Sequence, residues 1–260
     1  MTKSPYFFDT QEILDFPSLC ACFAGKPLQS PYRSTVPLLS LVQHSQPQWN
    51  ALLVSWGAPP EARVHFEYPV ASPKPGGNAS KTDALLLSDS TVWAVEAKWT
   101  EPRYESVAQR LSKPEKDGGD PQVTVDGWLR HLQPFATRPL KMEDFADVVY
   151  QVLHRAASAC AVATARGLGP ELVYLHFHPS PLKNSATTTQ YVSDLAHLHA
   201  IMGCPAGFAF RAVELPLEPT AAFESIKGAD KHSGATSVRV AEALCHGPLF
   251  AFGAPTSKRI

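Results

Sequence analysis

The sequence lacks the features that mark several common classes of protein. Its five cysteines are an odd number in a chain of 260 residues, which does not indicate a disulfide framework. No apolar run reaches the roughly 18 residues that a membrane-spanning helix needs. The first residues also have no apolar stretch of the kind that a signal peptide carries. We therefore expect a cytoplasmic protein with no membrane partner.

An excess of charge of either sign is also absent. The 23 lysines and arginines nearly balance the 24 aspartates and glutamates, which gives a formal net charge of -1. This balance shows no overall electrostatic preference for nucleic acid or for a membrane surface. Any site for a polyanion must therefore be a local one.

The cysteines do not indicate a zinc site either. Cys20 and Cys22 form a C-x-C pair, but no second cysteine pair and no pair of histidines lies nearby at the spacing of zinc ligands. Thiols buried in the core account for these residues better than a structural metal does.

Apolar periodicity predicts helices and strands in alternation. The predicted helices are 36–57, restarted at Pro47 with Ser45 as a cap and Gly57 as the stop, then 104–112, 121–133, 144–166, 187–203 and 236–245. The predicted strands are 63–71, a hairpin within 82–99, 170–179, 207–216 and 248–253. This order predicts an α/β fold. We expect an N-terminal arm (1–35), a core domain (36–216) with an insertion at 100–141, and a C-terminal extension (217–260) packed on the core.

The segment TDALLLSDSTVWAVEAKW, residues 82–99, predicts two strands joined by a tight turn. If Asp89 and Ser90 form a two-residue turn, the numbers of paired residues sum to 179. Asp83 then lies directly opposite Glu96 on the same face, with Cβ atoms about 4.5–5.5 Å apart. Lys98 shares that face because side chains alternate along a strand. Three charged groups thus converge on one point.

Both faces of this hairpin are apolar between its charged ends. Such a sheet is covered by helices on both faces, so the two carboxylates are expected at the edge of a core. Opposed carboxylates repel each other and raise one pKa unless a cation lies between them. Mg2+ suits such a site, because it binds one or two carboxylates together with waters and phosphate. The alternative is a surface salt bridge, which contributes only about 0–1 kcal/mol.

The order of elements and the two acidic motifs resemble the PD-(D/E)xK nuclease superfamily, which has the restriction endonuclease-like fold. The first acid is Asp83 in KTDALLL, at the start of the second strand, and the second motif is Glu96-Ala97-Lys98 in AVEAKW, on the third. Thr82 stands where the family name has a proline. The resemblance implies an αβββαβ core, with a mixed sheet and helices on both faces, besides the insertion and the C-terminal extension.

By this resemblance, Asp83, Glu96 and the carbonyl oxygen of Ala97 would hold Mg2+ or Mn2+. Lys98 would position the attacking water or help to deprotonate it, and the metal would offset the charge that grows on the phosphate. Members often add a third acid from the first helix or the first strand. The first predicted helix contains no Asp or Glu, so Glu67 in HFEYPV is the candidate metal ligand. A solvent-facing strand glutamate is the alternative.

Some members also carry a glutamine on the helix that follows the third strand. Gln151 and Arg155 share one face of the predicted helix 144–166. Gln151 is therefore a candidate catalytic residue and Arg155 a candidate substrate-binding residue, and an exposed helix face is the alternative. The insertion holds several lysines and arginines, of which Arg103 is a candidate phosphate contact.

Two histidines in HFHP, His176 and His178, resemble candidate catalytic residues at first sight. They lie at a strand end without a paired Ser or Cys nucleophile, which indicates packing and hydrogen bonding. We do not expect them to be ligands.

These expectations describe a metal-dependent nuclease that hydrolyses DNA phosphodiester bonds. RNA or a nucleotide is the alternative substrate, and a homodimer is an assembly that relatives often adopt. The rival interpretation is a catalytically inactive module of the same fold that binds nucleic acid or a nucleotide. The intact Asp, Glu and Lys set favours the enzyme, because a non-cutting domain has no need to keep mutually repelling acids.

Overall fold

The computed structural model describes residues 6–113, 120–229 and 233–260. Segments that alternate in polarity or are apolar throughout form the strands of a mixed sheet. The strands are β1 (Tyr6–Phe8), β2 (Gln11–Ile13), β3 (Val64–Val70), β4 (Ser80–Leu87), β5 (Thr91–Lys98), β6 (Gly169–His178), β7 (Ala209–Pro219), β8 (Phe250–Phe252) and β9 (Thr256–Arg259). Their spatial order is β2-β1-β3-β4-β5-β6-β7-β8, and β9 also pairs with β7.

The helices lie between these strands and against both sides of the sheet. They are α1 (Phe16–Cys22), α2 (Thr35–His44), α3 (Gln46–Trp56), α4 (Val107–Leu111), α5 (Pro121–Leu132), α6 (Tyr150–Arg166), α7 (Thr188–Ile201), α8 (Ala221–Ile226) and α9 (Gly234–His246). Single turns of 3-10 helix occupy Lys26–Leu28, Gln133–Phe135 and Met142–Phe145. No helix within the described ranges has the length and apolar content that a membrane crossing requires.

The sheet changes from antiparallel to parallel at β5. Strands β3, β4 and β5 form an antiparallel meander, whereas β5, β6 and β7 are parallel. Each parallel connection passes through a helix, α6 and then α7, as crossovers between parallel strands require. The carboxyl ends of β5, β6 and β7 therefore meet at one edge of the sheet.

Successive side chains of the β4–β5 hairpin enter two separate cores. Leu86, Trp93 and Val95 pack into one core with α1, α2, α3 and α9. Leu85 and Ala94 pack into the other with α5, α6 and α7. Helices thus cover both faces, and the predicted α/β fold with a mixed sheet is confirmed.

One predicted helix start is wrong, and the predicted cap and stop of α3 lie where the sequence places them. Ser45 is the N-cap residue of α3, as predicted, although its side chain makes no capping hydrogen bond. Helix α6 begins at Tyr150 rather than at residue 144, because Val149 is extended and bridges to Ser106 instead. The predicted stop at Gly57 is confirmed, since this residue ends α3 with a left-handed φ of 75°.

Both ends of the chain add short strands to the sheet, and of these only β8 is predicted, as the strand at 248–253. Within the predicted N-terminal arm, β1 pairs in parallel with β3, and β2 pairs with β1. Within the predicted C-terminal extension, β8 and β9 both pair with β7. Strands β1, β2 and β9 have only three or four residues each, which is too short for a periodic signal.

Candidate functional site

The register of the β4–β5 hairpin sets the site. Paired residues run from Leu87 with Val92 to Ala84 with Val95, so their numbers sum to 179 as the sequence predicts. The amide of Ser88 donates to the carbonyl of Thr91 at 3.0 Å and closes the two-residue turn. One further step along this register brings Asp83 and Glu96 opposite each other on the face that packs against α6.

Asp83 bonds to the backbone of the neighbouring strand. Its Oδ2 atom accepts a hydrogen bond of 2.8 Å from the amide of Ala97, one residue beyond Glu96. The side chain therefore takes the place of a ladder hydrogen bond at the start of β4. This bond fixes the carboxyl group beside Glu96.

Three side chains converge on the carboxylate of Glu96, which is only 2% exposed. Lys98 donates from Nζ to Oε1 at 2.7 Å, and Gln151 donates from Nε2 to the same oxygen at 3.2 Å. Nε of Arg155 lies 2.7 Å from Oε2, although its N–H is poorly aligned for a hydrogen bond. Glu96 is thus held by one amide and two cations.

Helix α6 supplies two of these three partners because it packs on the face of the sheet formed by β4, β5 and β6. Gln151 and Arg155 are four residues apart and project from one face of the helix toward the sheet. Arg155 also donates to the hydroxyl of Ser80 at 2.9 Å. The structure therefore brings together Asp83, Glu96, Lys98, Gln151 and Arg155, all of which the sequence nominates.

Burial and neighbouring charges act on these groups in opposite directions. Burial raises the pKa of Asp83 well above its usual range, and the Glu96 carboxylate raises it further. Burial also favours the neutral form of Glu96, but Arg155 and Lys98 outweigh it and lower the pKa of that carboxyl. For Lys98, Glu96 outweighs burial and raises the pKa of the ammonium. Glu96 and Lys98 therefore form a charged pair at neutral pH.

Glu67 lies on β3 next to this cluster. The pairs of Phe66 with Ala84 and of Tyr68 with Thr82 flank it, which puts Glu67 opposite Asp83. Its φ of 50° falls in the left-handed region, where a residue with a side chain is strained. Burial raises the pKa of Glu67. The candidate third acid is thus close enough for its charge to act on both other acids.

Arg103 does not reach the acidic cluster, which comprises Glu67, Asp83 and Glu96 with Lys98, Gln151 and Arg155. Its guanidinium donates to Asp194 of α7 through two hydrogen bonds, of 3.1 and 2.6 Å. The next residue, Tyr104, has its ring 5.1 Å from Nζ of Lys98. The ring of Tyr174 lies 6.0 Å from the same atom. The two tyrosines border Lys98, and the sequence offers no motif that singles them out.

The carboxylates of Asp83 and Glu96 are the type of ligand that a hard divalent cation binds. Mg2+ binds one or two carboxylates together with waters, and Asp83 and Glu96 offer two. In this arrangement protein donors bond to Oδ2 of Asp83 and Oε1 of Glu96, and the described part of the chain has no group of three or more His, Cys, Asp or Glu placed to hold a metal. Arg155 supplies the compensating charge. A cation bound to Oε2 of Glu96 would have to displace it.

Comparison with known proteins adds a family. The sequence model of a family described as "Domain of unknown function (DUF6946)" matches residues 22–214, about three quarters of the chain. The chain belongs to the DUF6946 family. No curated protein and no solved structure matches it. The DUF6946 match includes β3 to β6, α6 and every residue of the acidic cluster, whereas α9, β8 and β9 lie beyond it.

Proposed function

We propose that this DUF6946 protein is a metal-dependent nuclease of the PD-(D/E)xK type that hydrolyses DNA phosphodiester bonds. The observation that carries the proposal is the meeting of Asp83, Glu96 and Lys98 on one face of the β4–β5 hairpin. Gln151 adds to it, because it reaches Glu96 from the following helix.

The order of elements supports the same proposal. Apart from α4 and α5, which lie in the insertion between β5 and α6, the elements α3, β3, β4, β5, α6 and β6 form a helix, an antiparallel meander, a crossover helix and a parallel strand. This is the order of an αβββαβ core. Its acids lie at the start of β4 and the end of β5, at the edge where the carboxyl ends of the parallel strands meet. Ligands of open α/β sheets bind at such edges.

Each residue has a part in the proposed reaction. Asp83, Glu96 and the carbonyl oxygen of Ala97 would hold Mg2+ or Mn2+. A bound ion would act there as a Lewis acid on the phosphate. Lys98, whose ammonium bonds to Glu96, would orient the phosphate and the attacking water, and Gln151 fixes the orientation of the Glu96 side chain.

Arg155 has a different part, because it neutralises Glu96 when no metal is present. Its side chain is mostly buried, and its cation lies against Oε2 of Glu96. The proposal requires this guanidinium to release Oε2 when metal and phosphate bind, after which it is available to the phosphate.

A binding module that does not cut is the second candidate. One observation favours it: Glu96 is already compensated by two protein cations, so the cluster is stable without a metal. Such a module would bind nucleic acid or a nucleotide through the same edge of the sheet. Metal binding and cleavage must therefore be measured separately.

Metal binding is tested by thermal shift. Mn2+ should raise the melting temperature of the native protein, because a ligand that binds the folded state stabilises it. Asp83→Ala should abolish the shift. Asp89→Ala, which removes an exposed acid in the turn of the same hairpin, is the matched control and should keep it. A shift of equal size in Asp83→Ala would contradict a metal site at this acid.

Cleavage is tested with plasmid DNA in the presence of Mg2+ or Mn2+. Lys98→Ala should lower the rate about 100-fold or more, because loss of one preorganised electrostatic group costs this much. Lys258→Ala removes an exposed lysine on β9 and should cut normally. A native protein that binds Mn2+ without cutting DNA would support the binding module instead.

A further inference from the structure

A row of polar side chains crosses the carboxyl ends of the three parallel strands. Lys98 on β5 is in register with His176 on β6, and His176 is in register with Glu214 on β7. Residues in register on parallel neighbours point to the same face of the sheet. His176 therefore lies next to the lysine of the proposed nuclease site.

The first residue of α7, Thr188, connects His176 and Glu214 in this row. The hydroxyl of Thr188 donates its hydrogen to the carboxylate of Glu214. Its oxygen lies 2.6 Å from Nδ1 of His176. Because the hydroxyl hydrogen is already committed, this oxygen accepts from Nδ1, which must carry the proton. The arrangement leaves Nε2 of His176 with a free lone pair.

That lone pair has no hydrogen-bond partner among the described residues, although Nε2 is buried. A buried acceptor left unsatisfied costs about 1–3 kcal/mol. His176, Thr188 and Glu214 also line a cleft of about 370 Å³. A neutral, oriented and unpaired imidazole nitrogen beside a cleft is suited to accept a proton from a ligand or a water.

Lys98 is poorly suited to that task. Its ammonium is held against Glu96 at 2.7 Å, and this neighbour raises the pKa of the lysine. A proton acceptor must be unprotonated, so the lysine can orient a water but does not take its proton. Burial lowers the pKa of His176 to about 4, which keeps its imidazole neutral. The charged and titratable groups that face His176 are Lys98 on β5, Glu101 after β5, His178 on β6, Tyr191 on α7 and Glu214 on β7.

We infer that His176 is the general base of the proposed nuclease reaction, with Thr188 and Glu214 as its positioning residues. The inference rests on the proposed function. In the step, the oxygen of the attacking water forms a bond to phosphorus while a water proton passes to Nε2 of His176. The bond between phosphorus and the leaving sugar oxygen breaks, and that oxygen takes a proton from solvent. His176 then returns its proton to solvent.

The cleavage assay with plasmid DNA tests this role. His176→Ala should lower the rate about 100-fold or more, since general-base catalysis contributes at least that factor. Added imidazole should restore part of the rate in this variant, which a purely structural role would not allow. Thr188→Val should lower the rate while its melting temperature stays close to native. His197→Ala, which removes an exposed histidine on α7, is the control.

A second measurement uses the metal-free protein and does not depend on cleavage. Nitrogen-15 NMR should show His176 neutral at about pH 7 with its proton on Nδ1, and Thr188→Val should weaken that preference. A proton on Nε2 would overturn the inference.

The outcomes separate the two proposals. If Lys98→Ala abolishes cleavage while His176→Ala cuts like native protein, the general base is wrong and the nuclease stands. If the native protein shows no metal-dependent cleavage, both proposals fall together.

Discussion

At the scale of single residues, the charge of Glu96 is the most tightly compensated feature of the site. A buried ion pair adds little stability relative to an apolar replacement, but removal of one partner leaves an uncompensated charge in the interior. Arg155 is the partner whose loss is easiest to measure, since Lys98 still holds the other oxygen.

Arg155→Met should therefore lower the free energy of unfolding by about 3 kcal/mol. The measurement is urea denaturation in the absence of divalent metal. Arg130→Met, which changes an exposed arginine of α5, should have little effect. The double variant Glu96→Gln/Arg155→Met should lose less than the sum of the single losses, because each single variant already removes the attraction between Glu96 and Arg155 and the double variant removes it only once. Strict additivity would show that the two residues are not energetically coupled.

The sequence predicts part of this residue-level picture. Alternation along β4 and β5, together with the two-residue turn, is enough to put Asp83, Glu96 and Lys98 on one face. Helical spacing is enough to put Gln151 and Arg155 together. The pairing of Arg155 with Glu96 is not predictable in this way, because it depends on how α6 is rotated over the sheet, and no local pattern encodes that rotation.

At the scale of elements, the residues just before α6 are buried as a helix pattern predicts, but they do not form α-helix. The apolar spacing of Phe145, Val148 and Val149 predicts helix, yet Phe145 ends a 3-10 turn, Val148 lies in a bend and Val149 is extended, although all three are buried. The amide of Tyr150 donates to the carbonyl of Glu105 at 2.9 Å, which holds this segment against the chain leading into α4. Periodicity reports which side chains are buried, and a long-range backbone contact decides the conformation.

Packing also overrides a local conformational preference at Gly127 in α5. Alanine is favoured over glycine inside a helix by about 1 kcal/mol. At this position, however, a Cβ atom would lie 2.2 Å from Cβ of Pro73, in the loop between β3 and β4. The close approach of that loop to α5 requires a residue without a side chain.

Gly127→Ala should consequently destabilise the protein, by about 1–3 kcal/mol, because overpacking outweighs helix preference. Thermal or urea unfolding measures this. Val123→Ala, on the exposed side of the same helix, should change stability only slightly. An increase in stability for Gly127→Ala would mean that the loop can move away at no cost.

At the scale of the whole molecule, buried histidines link folding to pH. Burial lowers the pKa of His65 and of His176 to about 4, and burial with the nearby Arg155 lowers that of His154 to about 3. In the unfolded chain each titrates near pH 6.5, at about its model-peptide value. As pH falls below that value, the unfolded chain binds protons that the folded protein does not. Stability is therefore lost as pH falls.

Two acids act in the opposite sense. The raised pKa values of Asp83 and Glu67 mean that the folded protein keeps protons that the unfolded chain has released. Three histidines outnumber two acids, so the net sign is a loss of stability on acidification. Each net proton corresponds to about 1.4 kcal/mol per pH unit.

Urea denaturation between about pH 7 and pH 5 should show this decrease. His154→Phe keeps an aromatic ring between Trp128 and Tyr150 but removes one titrating group. This variant should flatten the pH dependence by up to one proton and leave the neutral-pH stability nearly unchanged. A slope identical to that of the native protein would show that His154 titrates normally in the fold.

The described sheet also has two edges, and strands from the two terminal segments form both of them. Strands β1 and β2 lie beyond β3, and β8 and β9 lie beyond β7, all of them outside the residues that match the DUF6946 family. A fragment reduced to those residues would present bare N–H and C=O groups along β3 and β7, which recruit strands from other molecules. The terminal strands thus cover backbone groups of β3 and β7 that would otherwise pair with strands of other molecules.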